Sequence, residues 1–220
     1  MLTAYVLRCP TIGYCQGWNS IAARLLAVMP EEEAFWVLAQ LVEVVLPLDQ
    51  YSNLLGVLVD IKVFGLLMEK LLPRLVAHLA TFNFQLDLLL TKWFICLFVN
   101  HLPLECELAV WDLLLIKGNS VLFRVALTLF QMMEPQILKC EDYGEIYLLV
   151  DQFGHSVKLP ELLANLCSKV RPQDVEHLRA HFREEIYEQL RSQIEVSKLE
   201  SIRKPSAKPR IEFVQKFYLY

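Results

Sequence analysis

The residues with most to offer chemically lie in one stretch, Thr11-Ile12-Gly13-Tyr14-Cys15-Gln16-Gly17-Trp18-Asn19. Two of only seven glycines flank the Gln16 carboxamide, beside an aromatic and a cysteine. Glycine lets a backbone turn sharply and approach a partner closely. A carboxamide both donates and accepts hydrogen bonds. Composition by itself says that Gln16 is presented on a tight loop ahead of a helix. The stretch is no phosphate loop, because the Lys-Ser/Thr pair and the longer glycine spacing are missing. His177 and His181 stand four apart and could face one metal, but no third ligand accompanies them and the pattern is not His-Glu-x-x-His. They read as a solvated flank. The six cysteines (9, 15, 96, 106, 140, 167) form no Cys-x-x-Cys pair and no zinc spacing. No metal site is expected. Gly-x-Ser-x-Gly is absent, and no carboxylate pair asks for a hydrolase.

The elements that must position this loop are helical. Apolar residues recur at three- and four-residue steps through most of the chain. After Pro30, Glu31, Glu32 and Glu33 place acids in a first helical turn, where the helix dipole favours them. Phe35, Leu38, Leu41, Val42 and Val45 then share a face, and Pro47 closes the segment. Leu54, Leu58, Ile61, Met68 and Leu72 mark another helix, although 59–63 also alternates like a strand. Pro73 opens a short helix through Ala80. Residues 86–101 are apolar on nearly all sides and form a central buried helix. Pro103 starts a segment through Ile116 that Gly118 caps, and Asn119 or Ser120 caps the next, to about Met133. Two short helices split at Gly154 fill 143–168. Pro172 opens an amphipathic helix with Val175, Leu178, Phe182, Ile186, Leu190 and Ile194 in one stripe, supported by Glu188/Arg191 and Glu195/Lys198 pairs. Trp36, Trp93, Phe94 and Trp111 are expected in the core.

Composition sets the outer bounds. A length of 220 residues suits one domain with a tail, and 55% hydrophobic residues supply its core. The net charge of −4 argues against a nucleic-acid binder, which carries a basic face. A membrane-spanning helix needs about 18–20 apolar residues with few charges; the runs at 75–86 and 93–104 fall short. With no signal peptide and cysteines inside apolar runs, a reduced, cytosolic protein is expected. From Arg203 the sequence reads as a basic, proline-broken linker with the aromatics Phe213, Phe217, Tyr218 and Tyr220 beyond it.

Ile12-Gly13-Tyr14-Cys15-Gln16-Gly17 followed by Asn19 resembles the glutamine-finger motif of TBC-domain Rab GTPase-activating proteins. Glu32-Glu33-Ala34-Phe35-Trp36 resembles that family's acid-rich helix start. Trp93-Phe94 with Phe98 and Pro103 resembles its central helix. Val110-Trp111-Asp112, Gly118, Leu122-Phe123-Arg124 and Ala126-Leu127 resemble its Trp-Asp helix and the one after. The match covers about 1–140, in order. It implies a compact all-α domain over 1–200 lacking its N-terminal helices, with 201–220 as tail. It also implies a GTP-bound Rab-type GTPase as partner, no cofactor of the chain's own, and membrane association only peripherally, through that partner.

The resemblance implies chemistry as well. Hydrolysis of GTP needs an aligned water and stabilised phosphate charge. Gln16 would orient the water, with Gly13, Tyr14, Gly17, Trp18 and Asn19 forming the face around it. Asp112 and Arg124 are further candidate partner contacts, beside a structural alternative for each. The family's second finger is an arginine from Ile-x-x-Asp-x-x-Arg, some tens of residues before the glutamine. Only fifteen residues precede Gln16 here, without that motif, and their sole arginine, Arg8, is not assigned the role. Ala109 stands where the family often has arginine before the Trp-Asp pair. A shortened isoform, a partial gene model or a cut fragment is expected, with impaired activation. The alternative is a helical interaction module that binds a GTPase or another partner without stimulating hydrolysis.

Overall fold

A computed structural model describes residues 1–51 and 55–203. The expected Leu54 and the aromatic, basic tail beyond Arg203 lie outside the described residues, as do the side chains of Leu190, Ile194, Glu195 and Lys198. Among the described residues there is no strand. The order is α1 (Leu2–Arg8), α2 (Trp18–Leu26), α3 (Glu31–Gln40), a π-helical turn (Leu41–Val45), α4 (Leu55–Leu71), α5 (Pro73–Thr81) and α6 (Leu86–Cys96). There follow α7 (Leu104–Lys117), α8 (Ser120–Ile137), α9 (Tyr143–Ser156), α10 (Leu159–Ala164) and α11 (Pro172–Arg203). The chain divides into two units, Met1–Arg183 and Glu184–Tyr220.

The core of the first unit forms around α8, whose residues are buried on almost every side. Phe130 packs on Phe64 and Trp93 with centroids 5.9 and 5.6 Å apart, and Phe123 on Phe94 at 5.4 Å. Each fully buried ring of this kind stabilises the fold by about 2–3 kcal/mol. Proline sets the starts of α5 and α11, where a missing N–H costs nothing. Gly118 ends α7 with a positive φ. No described helix is long and apolar enough to cross a membrane.

Several expectations need correction. The apolar run from Leu86 does not stay helical to His101. α6 stops at Cys96, and Leu97, Phe98 and Asn100 take φ of 51°, 63° and 58°. Gly154 does not split two helices but lies buried within α9, the break coming at Val157. Its lack of a side chain lets the backbone press on the His101 ring, where a Cβ would collide. α8 runs on through Pro135 to Ile137 instead of stopping near Met133. The stripe on α4 turns about its axis: Leu58 is exposed, while Val59, Asp60, Val63 and Phe64 face inward. Trp36 is 53% exposed, whereas Trp93, Phe94 and Trp111 are core as expected.

The apolar stripe of α11 also conceals a charge. Arg179 is buried and forms ion pairs with the fully buried Asp60 and with Asp49 (3.1 Å), while Arg183 reaches Asp49 at 2.8 Å. Burial lowers the Arg179 pKa to about 10 against the opposing pull of Asp49. This cluster ties the start of α11 to α4 and to the loop after the π-helical turn. In the second unit, Gln189 donates to Glu185 at 3.0 Å, and the expected Glu188/Arg191 pair does not form.

Candidate functional site

The loop around Gln16 is fixed at both ends. α1 closes with Cys9 N–H donating to the Tyr5 carbonyl (2.9 Å), and Gly13 N–H reaches the Cys9 carbonyl (3.2 Å). Gly13 has φ 69° and Gly17 has φ 106°. At Gly17 the need for glycine is double. Its backbone is left-handed, and an added Cβ would stand 2.6 Å from Ile95 Cγ2 and 3.2 Å from Cys96 Sγ. The loop therefore rests with its backbone flush on the end of α6.

Trp18, the first residue of α2, anchors that arrangement. It is fully buried, edge-on to Tyr5 (5.2 Å) and Tyr51 (5.4 Å). Tyr51 in turn donates its hydroxyl to the Ile95 carbonyl (3.1 Å). Trp18 thus corrects the expectation of a partner contact: an indole closed off from solvent holds the loop down. Cys15 is buried as well, and burial raises its thiol pKa to about 11, so it remains a thiol donating weakly to the Gln16 carbonyl (3.5 Å). Gln16, Tyr14 and Asn19 are exposed. The Asn19 side-chain oxygen accepts the Gly17 N–H (3.2 Å).

The end of α6 is braced from α7 and α2. Trp111 donates its indole N–H to the Leu97 carbonyl (3.0 Å). Glu107, fully buried, accepts the Asn100 N–H (2.9 Å) and pairs with Arg24 at 2.6 Å. Burial raises the Glu107 pKa, with Arg24 and the Asn100 N–H pulling the other way; removal from water prevails. Sequence reading missed Arg24 and Glu107, since neither stands in a pattern that separates it from a solvated surface charge.

The remaining candidates disperse. Arg8 is held by a two-pronged contact to Glu43 (2.9 Å each) and lies 5.2 Å over the Trp36 ring. This contact holds the Glu43 carboxyl below its ordinary range. Arg124 donates its Nε–H to the Cys167 carbonyl (2.6 Å), which is the structural alternative offered for it. Asp112 is exposed and bonds to no described residue, so it does not hold a neighbouring loop. His177 and His181 are exposed, and no cluster of three metal-ligating side chains occurs among the described residues.

Fold and site together define an all-helical domain that presents one carboxamide outward on a backbone-packed loop. The profile of the Rab-GTPase-TBC domain family matches residues 1–138, and the chain belongs to that family. It is 37% identical over 205 residues to TBC1 domain family member 2B of Xenopus tropicalis, covering 92% of this chain and 21% of that protein. It is also 37% identical over 216 residues to human TBC1 domain family member 2A, covering 96% of this chain and 23% of that one. The crystal structure of the Chlamydomonas flagellar RabGAP TBC domain superposes with a TM-score of 0.69 at 32% identity, over 76% of this chain and 57% of that one. The chain thus spans about a fifth of the length of these two curated relatives.

Proposed function

We propose that this chain binds a Rab-type small GTPase in its GTP-bound form and lends Gln16 to the partner's nucleotide site, where the carboxamide aligns the attacking water. The observation that carries the reading is the posture of Gln16: its side chain is exposed while the residues on either side, Cys15 and Gly17, are buried. A donor–acceptor group carried on backbone that is held before the partner arrives needs less reorganisation when hydrolysis begins. Tyr14 and Asn19 are exposed around it and Asp112 is free to meet a partner. We assign this work to about residues 1–140, with the nucleotide and Mg²⁺ belonging to the GTPase. Association with endomembranes would run through that partner.

Arg8 is a poor arginine finger, because its guanidinium is already committed to Glu43 and Trp36. An arginine finger contributes about 10³–10⁵ in rate. These 220 residues alone should therefore stimulate hydrolysis weakly. The same observation favours a second reading, binding without stimulation. Single-turnover GTP hydrolysis by a panel of Rab proteins, with this chain and with Gln16→Ala, tests both. Stimulation abolished by Gln16→Ala supports the first; binding with no stimulation by the folded chain supports the second.

A further inference from the structure

We propose that Asn19 is a positioning residue for Gln16, acting through the peptide unit between Gln16 and Gly17; this rests on the reading of Gln16 given above. Both polar ends of that peptide are held. Its N–H donates to the Asn19 side-chain oxygen (3.2 Å), and its carbonyl accepts the weak Cys15 thiol contact (3.5 Å).

Glycine explains why a clamp is needed. Gly17 has φ 106°, a value glycine reaches as readily as negative φ. Flexibility alone leaves the Gln16–Gly17 peptide free to turn over, which changes ψ of Gln16 and φ of Gly17 together. α2 does not prevent this, because its first turn is anchored elsewhere. The Gly17 carbonyl accepts the N–H groups of Ser20 (3.1 Å) and Ile21 (3.2 Å), and Trp18 N–H donates to Cys15 (3.2 Å). The Gly17 N–H has one partner among the described residues, Asn19. A side chain in the first turn reaching back to the N-cap amide resembles half of a capping box. Here the amide it holds belongs to the peptide that directs the catalytic carboxamide. Asn19, expected from the sequence as a partner contact, thus sets the direction of its neighbour.

The test measures amide hydrogen exchange residue by residue by NMR, in the native chain, Asn19→Ala and Asn19→Asp. Aspartate keeps an acceptor oxygen. Loss of one hydrogen bond predicts about fivefold faster exchange at Gly17 in Asn19→Ala, native-like exchange in Asn19→Asp, and unchanged rates at Ile21 and Ala22. Unchanged Gly17 exchange in Asn19→Ala overturns the proposal. Equal acceleration at Gly17, Ile21 and Ala22 also overturns it, by reducing Asn19 to an ordinary helix cap. With a GTPase that the chain stimulates, Asn19→Ala should lower kcat more than it changes KM, Asn19→Asp should restore it, and Asn19→Ala should cost nothing further in a Gln16→Ala background. A further loss in that background counts against the proposal. Hydrolysis indifferent to Gln16→Ala alone would remove the glutamine reading, while Gly17 exchange would still decide whether Asn19 holds the peptide.

Discussion

The loop that bears Gln16 and the turn that follows α6 reach left-handed backbone by opposite means. In the loop before α2, the positive φ values fall on Gly13 and Gly17. In the turn after α6 they fall on Leu97, Phe98 and Asn100; for Leu97 and Phe98 the left-handed region costs about 1–2 kcal/mol per residue, while asparagine visits it more readily. The first turn is permitted by its own composition. The second is imposed by its surroundings: Leu97 and Phe98 are fully buried, Trp111 bonds the Leu97 carbonyl, and Glu107 bonds the Asn100 amide. A presented loop can be locally free only where the surface beneath it is held by tertiary contacts. Here the contact itself is made through a glycine with no side chain to spare.

The largest test breaks the imposed turn. Trp111→Ala removes both the buried indole and the bond to Leu97, and should cost about 4 kcal/mol in chemical denaturation. A loss near 1 kcal/mol would mean the turn holds itself. Next comes the contrast between the glycines. Gly17→Ala meets both a left-handed backbone and Ile95, and should cost about 3 kcal/mol. Gly13→Ala, with open space around its Cβ position, should cost about 1 kcal/mol. Equal costs in thermal or urea unfolding would show that contact with α6 does not constrain the loop.

A further effect, smaller than that of Gly17→Ala, sharpens the comparison through pH. His101, inside the imposed turn, has its pKa lowered to about 4, chiefly by burial, with Lys92 and His155 adding to the shift and Asp151 opposing it. A histidine whose folded pKa is depressed contributes stability that is full above its unfolded value, near 6.5, and is lost as pH falls toward 4. Acidification from pH 7.5 to pH 5 should therefore cost about 2 kcal/mol through this group. Denaturation midpoints across that range should slope in the native protein and flatten in His101→Gln. An equal slope in the variant would place the acid sensitivity elsewhere.

The sequence reads well where a residue's local conformation and its environment agree. Pro73, Pro172 and Gly118 sit at helix ends because their own backbone preferences put them there. The glutamine loop was legible for the same reason, since its glycines announce the turn. What escaped reading is set by tertiary contact. Nothing in Leu97 or Phe98 forecasts positive φ, because burial and Trp111 supply the reason. Gly154 looked like a break, yet it serves close packing on His101. Asp60, Arg179 and Glu107 carry no sequence mark that sets them apart from solvated charges, yet they are buried with partners. Arg24 was equally silent, and so the brace beneath the site was invisible until the helices were assembled.

The outward placement of Trp36 has an optical consequence. Of the four tryptophans, Trp18 and Trp93 are wholly enclosed and Trp111 nearly so, while Trp36 is 53% exposed beneath the Arg8 guanidinium. Iodide or acrylamide added to the native chain should quench mainly Trp36. Its fluorescence then becomes a built-in gauge of the contact between α1 and α3, and the protected remainder of the emission reports whether the wall behind Gln16 has stayed shut.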